Sequence, residues 1–131
     1  EFIVTPPILD LAAFDAVLPR LTGTGLPVIA GVAALESLRH LEFLASEVVG
    51  VRVAEALLER LRRAGDEGAE ALSATFEVAR GLAERVQGLQ ITTVHGSPQT
   101  AERLLAQIMQ RLPQVAAAQN HAGPATKARH G

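Results

Sequence analysis

Leu26–Phe43 reads LPVIAGVAALESLRHLEF, and this stretch decides the fold. Pro27–Val32 is a run of apolar and small residues without alternation, as expected of a strand buried on both faces. An amphipathic helical pattern follows within a few residues, over Glu36–Ala45, with Leu38, Leu41 and Leu44 turned inward. The same strand-then-helix unit occurs before it, over Phe2–Leu21, and after it, over Leu89–Leu112. Strands alternating with helices predict an α/β protein with a parallel sheet.

The flanking units supply their own punctuation. Phe2–Thr5 reads as a strand, and Pro6-Pro7 should end its ladder because neither residue has an N–H to donate. Asp10 is the expected N-cap of a helix over Leu11–Leu21, which carries Pro19 near its end. Between the second and third strands the pattern predicts helices over Val51–Ala64 and about Asp66–Val86, separated by Gly65. The third strand is expected at Leu89–Val94. Ser97 then caps the last helix, with Pro98 in its first turn and Pro113 after its end. Residues 1–112 therefore form the folded segment. Residues 113–131 lose periodicity and are expected to be a poorly ordered tail.

With 131 residues the chain is at most one domain, large enough to bury a core. Its hydrophobic fraction is 48% and its aromatic fraction only 3%, so the core must be built from Leu, Val, Ile and Ala around four Phe. The net charge is -2 with both signs mixed, and no basic stripe or aromatic platform suggests nucleic acid. With no cysteine there can be no disulfide, zinc–thiolate centre or cysteine nucleophile, which fits a cytoplasmic protein. No apolar run has the length of a transmembrane helix. The chain opens on Glu1 rather than Met, which suggests a truncated or processed start.

Two arrangements use three consecutive strand–helix units: a small open sheet, or a sector of an eight-stranded barrel. The sequences FIVTPPILDLAAFDAVLPRL, GLPVIAGVAALESLRHLEFLASEVVGVRV and EALLERLRRAGDEGAEALSATFEVARGLAERVQGLQI resemble the C-terminal part of the methylenetetrahydrofolate reductase family, in the subfamily fused to homocysteine methyltransferases. The resemblance runs from about Phe2 to Met109. It is most specific at Pro27–Val32 with Leu35, Ser37 and Phe43, and at Glu47–Val53.

The resemblance implies a (β/α)8 TIM barrel of which this chain holds strands six to eight, a partial barrel. It implies FAD as cofactor and reduction of methylenetetrahydrofolate to methyltetrahydrofolate by a reduced nicotinamide. The family's catalytic glutamate and most flavin contacts lie on strands one to five, so the chain alone should be inactive.

Carried over one by one, Thr5 matches a threonine at the end of strand six. The substrate-contacting glutamine that follows it in the family is replaced by Pro6. Phe43 matches a phenylalanine near the stacked substrate, with His40 just before it. Ala34 stands where the family has proline, and Thr92, Thr93 and His95 replace a more apolar segment. Thr5, His40, Phe43 and His95 are thus the candidate substrate-binding residues.

On the residues alone, His95 sits after a strand, where barrel enzymes place active groups; the other reading is a solvated turn histidine. His95-Gly96-Ser97-Pro98 could present a helix N-terminus to a phosphate. Glu36 and Glu42 read as solvated carboxylates, and Arg60, Arg62 and Arg63 as a charged outer helix face. No metal-ligand spacing joins the histidines. A non-catalytic, self-associating structural module is the alternative function. A partial barrel leaves strand edges and an inner face exposed, so the expected partner is a second copy or an N-terminal barrel segment.

Overall fold

The computed structural model describes residues 1–93 and 95–120. The elements run β1 (Ile3–Pro7), α1 (Leu11–Thr22), β2 (Val28–Ala33), α2 (Leu38–Glu47), α3 (Glu55–Arg62), α4 (Glu67–Ala83), β3 (Gly88–Thr92), α5 (Pro98–Arg111) and β4 (Ala116–Asn120). The strands form one four-stranded sheet in the order β1-β2-β3-β4, and every pairing is parallel. The fold is therefore α/β, consistent with a partial barrel-like unit.

The sheet has one helix-covered face. Val28, Ala30, Val32, Leu89 and Ile91 are buried in a cluster with Phe14 of α1, Phe76, Ala79 and Leu82 of α4, and Ala101, Leu104 and Ile108 of α5. Residues of alternate parity turn the other way. Ile29, Gln90 and Thr92 are half-buried there and Ala116 and Ala118 are exposed, while Gly31, Ala33 and Gly88 are buried. A second cluster gathers Leu9, Ala33 and Leu35 with Leu41 and Leu44 of α2, Leu57 and Leu61 of α3, and Ala71 and Ala74 of α4. Thr75 stitches the start of this region to α4: its hydroxyl donates to Ala71 O at 2.7 Å and accepts from Leu35 N–H at 3.4 Å.

Helix α2 starts at Leu38 rather than Glu36, and three larger differences from the sequence reading bear on the fold. The first strand does not stop at Thr5. Its register slips between Val4↔Ile29 and Pro7↔Gly31, so β1 spends one residue more than β2 over this interval, a bulge. The prolines cannot donate, so Gly31 O is met instead by Ile8 N–H at 3.0 Å, while the Thr5 hydroxyl accepts from Gly31 N–H at 3.0 Å and donates to Pro6 O at 2.8 Å. Only glycine fits beneath this bulge: a Cβ on Gly31 would lie 2.8 Å from Thr5 O and 3.0 Å from Pro6 O.

The helix expected from Val51 begins at Glu55. The preceding residues stay extended, and Val53 forms a parallel bridge with Leu9.

The third difference is β4. Ala116–Asn120 lies inside the stretch expected to be a disordered tail, yet pairs with β3 from Gly88↔Ala116 to Thr92↔Asn120. Leu112 and Val115, buried at 6% and 8%, anchor the turn that delivers it. The rest of that stretch, 121–131, lies outside the described residues, as does Val94 at the expected end of the third strand.

Ion pairs fix the helical layer. Arg60 of α3 bonds Glu77 at 2.8 and 2.9 Å and also reaches Glu70, so one member of the supposed outer charged face clamps α3 to α4. The Arg60 guanidinium holds the Glu77 carboxyl below its ordinary value. Arg85 bonds Asp15 of α1 at 2.6 Å and the Gly81 carbonyl at 2.6 Å, joining α1 to the end of α4.

Candidate functional site

In a parallel sheet the segments following adjacent strands emerge on the same side. Here the segment after β2 meets the segment after β3. Ser37 caps α2, accepting from His40 N–H at 3.0 Å. Ser97 caps α5, accepting from Thr100 N–H at 3.3 Å. Glu36, immediately before the first cap, reaches across: one of its carboxylate oxygens accepts from Ser97 N–H.

Burial works to raise the Glu36 carboxyl. The Ser97 hydroxyl and N–H, the Thr100 hydroxyl and the nearby His40 together outweigh it and hold the group below its ordinary value. Glu36 is thus an anion engaged with the protein, not a solvated carboxylate. Glu42, by contrast, is exposed.

His40 is buried at 7% exposure. Its Nδ1 accepts from Glu36 N–H at 3.3 Å, which makes Nδ1 the unprotonated nitrogen of that tautomer. Gly96 packs on this ring so closely that a Cβ there would lie 3.0 Å from His40 Cε1. His40 therefore supports the two segments from beneath.

Phe43, three residues further along α2, is half-buried. Its ring lies 4.2 Å from that of His95, centroid to centroid, at an interplanar angle of 53°. The two rings are thus in direct contact at an intermediate tilt. His95 is exposed and has φ 55, the only positive φ outside glycine among the described residues. Histidine is one of the few non-glycine residues enriched in this left-handed region, which suits it to the turn after β3.

Of the four candidate residues, the structure brings together His40, Phe43 and His95. Thr5 stands apart, its proton and one lone pair committed within the β1–β2 bulge. It lines a separate apolar groove of about 310 Å³ along the open edge of β1, with Phe14, Val17 and Leu21 of α1.

The residue that sequence reasoning missed is Glu36. Its partner is 61 residues away, and only the adjacency of β2 and β3 makes the contact available. At the end of β3 the Thr92 hydroxyl is buried without a hydrogen-bond partner among the described residues.

The anion site suggested at the start of α5 is already filled by the Glu36 carboxylate, which would repel a phosphate. A flavin dinucleotide carries a pyrophosphate, so the polar groups gathered here do not fit FAD. Among the described residues no group of three His, Asp or Glu side chains could hold a metal ion, and no helix is long and apolar enough to cross a membrane. No protein-family model matches the chain, and no curated protein matches it.

Proposed function

We propose that the chain forms one wall of a barrel like that of the methylenetetrahydrofolate reductases, with β1, β2 and β3 in the places of strands six, seven and eight. Its part in that site is to present Phe43 and His95 to the flat ring of a folate. The observation that carries this reading is the pairing of those two rings, one on α2 after β2 and one in the turn after β3, on the side where the strands' C-terminal ends emerge and barrel proteins keep their sites. The placement of α1, α4 and α5 on one face supports it, since a barrel wall has helices outside and side chains within. A doubly wound sheet has helices on both faces.

In this reading the chain's residues bind and orient. Phe43 supplies apolar ring surface, His95 closes over it, and His40 and Glu36 hold the two segments in place. Pro6 offers no amide to the substrate, and the Thr5 hydroxyl is spent on the bulge, so β1 contributes shape rather than hydrogen bonds. The flavin belongs to the neighbouring wall, and the chain alone should not turn over methylenetetrahydrofolate. The open edges of β1 and β4 favour completion by further strands or by a second copy, so sedimentation should show self-association rather than a clean monomer.

The test is equilibrium binding of methyltetrahydrofolate to the chain. An aromatic contact is worth about 0.5–1.5 kcal/mol, so Phe43→Ala should weaken binding by roughly two- to twelvefold. Equal affinity in the wild type and Phe43→Ala would contradict the reading.

A further inference from the structure

We propose that Glu36 is a positioning residue: its carboxylate sets the His95 ring against Phe43 by completing the cap of α5 from another segment of the chain. In an ordinary capping box, the N-cap side chain bonds the N–H three residues on. A Glu or Gln at that third position returns the favour to the N-cap N–H. Here Ser97 makes the first bond, to Thr100 N–H at 3.3 Å. Thr100 has no carboxylate to return, and its hydroxyl lies 3.0 Å from that of Ser97. The Ser97 N–H is taken by Glu36 instead.

The consequence is a closed circuit. Glu36 is tied back to α2 through its own N–H, which His40 Nδ1 accepts at 3.3 Å. Its carboxylate fixes Ser97, and a tight turn from Gly96 N–H to Thr93 O at 2.8 Å fixes the other side of His95. His95 then has little freedom. Its backbone is held at φ 55, and its ring falls on Phe43, which is again on α2. A local glutamate at position 100 would cap α5 equally well but would leave this segment untethered from α2. The placement of the acid on the neighbouring βα segment is what couples the cap to the aromatic pair.

The circuit is a property of the chain without ligand. Its bearing on folate rests on the function proposed above, and the test separates the two because it needs no ligand. The readout is the proton chemical shift of the His95 ring, assigned with His95→Asn and displaced by the Phe43 ring current in the wild type. Phe43→Leu should abolish the displacement. Glu36→Ala, which removes the acceptor of the Ser97 N–H, should lose most of it, with the far-UV circular dichroism unchanged.

The decisive variant is Glu36→Ala combined with Thr100→Glu. It restores a carboxylate to the Ser97 N–H from within α5 and guards against loss of the helix. The proposal predicts that α5 is retained and the His95 displacement stays lost. Recovery of the displacement in the double variant would mean that Glu36 is only a helix cap, and an unchanged shift in Glu36→Ala would mean that it does not act on His95 at all. Either result overturns the proposal.

Discussion

Ile91→Ala is expected to destabilise the chain by about 2–5 kcal/mol, whereas Gln90→Ala, one residue earlier on the same strand, should cost under about 1 kcal/mol. Ile91 is fully buried between β3 and the helices, so truncation leaves a cavity that the surrounding α4 and α5 side chains can close only in part. Gln90 is half-buried on the face without helices, where truncation removes little packing. Domains of this size are commonly stable by about 5–15 kcal/mol, so the first loss is a large share of the total. Urea unfolding of the two variants against the wild type measures the difference. Equal losses would mean that both faces of the sheet are packed alike, and the one-walled architecture would be wrong.

Gly31→Ala is expected to cost about 2–3 kcal/mol although it adds one methyl group. That methyl would stand 2.8 Å from the Thr5 carbonyl oxygen and 3.0 Å from Pro6 backbone atoms, and backbone cannot rotate aside as a side chain can. Relief requires β1 to lift from β2, which also lengthens the bond by which the Thr5 hydroxyl accepts from Gly31 N–H across the bulge. Gly65→Ala is the control. Nothing lies within 4 Å of its added carbon, and lower freedom in the unfolded chain should leave it neutral or about 0.5 kcal/mol more stable. If both substitutions have the same effect, the bulge does not hold β1 as described.

The parts of the fold legible in the sequence are those governed by local chemistry. Asp10 and Ser97 cap α1 and α5 as their side chains predict, accepting from Ala13 and Thr100 N–H. The uniform apolar run at Val28–Ala33 becomes a central strand with neighbours on both sides. The parts that were not legible depend on contacts distant in sequence. Ala116–Asn120 reads AAAQN, which has no β-branched or aromatic residue, and becomes a strand because β3 offers an open edge beside it. The double proline ends a ladder in isolation, but a threonine hydroxyl and a glycine on the next strand let this one continue.

The candidate site divides in the same way. Phe43 and His95 were singled out one at a time, and the structure sets their rings together. His40, taken for a substrate contact, is mostly buried and accepts from the main chain of Glu36. Glu36 itself, dismissed as a solvated charge, is the group that spans the two segments. Nothing in a one-dimensional pattern distinguishes it from Glu42, which stays in solvent, because the Ser97 N–H that selects it arrives only when β2 and β3 pair.

The measurement that bears most directly on the folate-facing wall is a residue-by-residue map of amide chemical shifts during titration of the chain with methyltetrahydrofolate. The account predicts saturable changes concentrated at Phe43, His95 and Gly96, lost in Phe43→Ala and undisturbed by added inorganic phosphate. Changes centred instead on the apolar groove beside β1, or no changes at millimolar ligand, would contradict it.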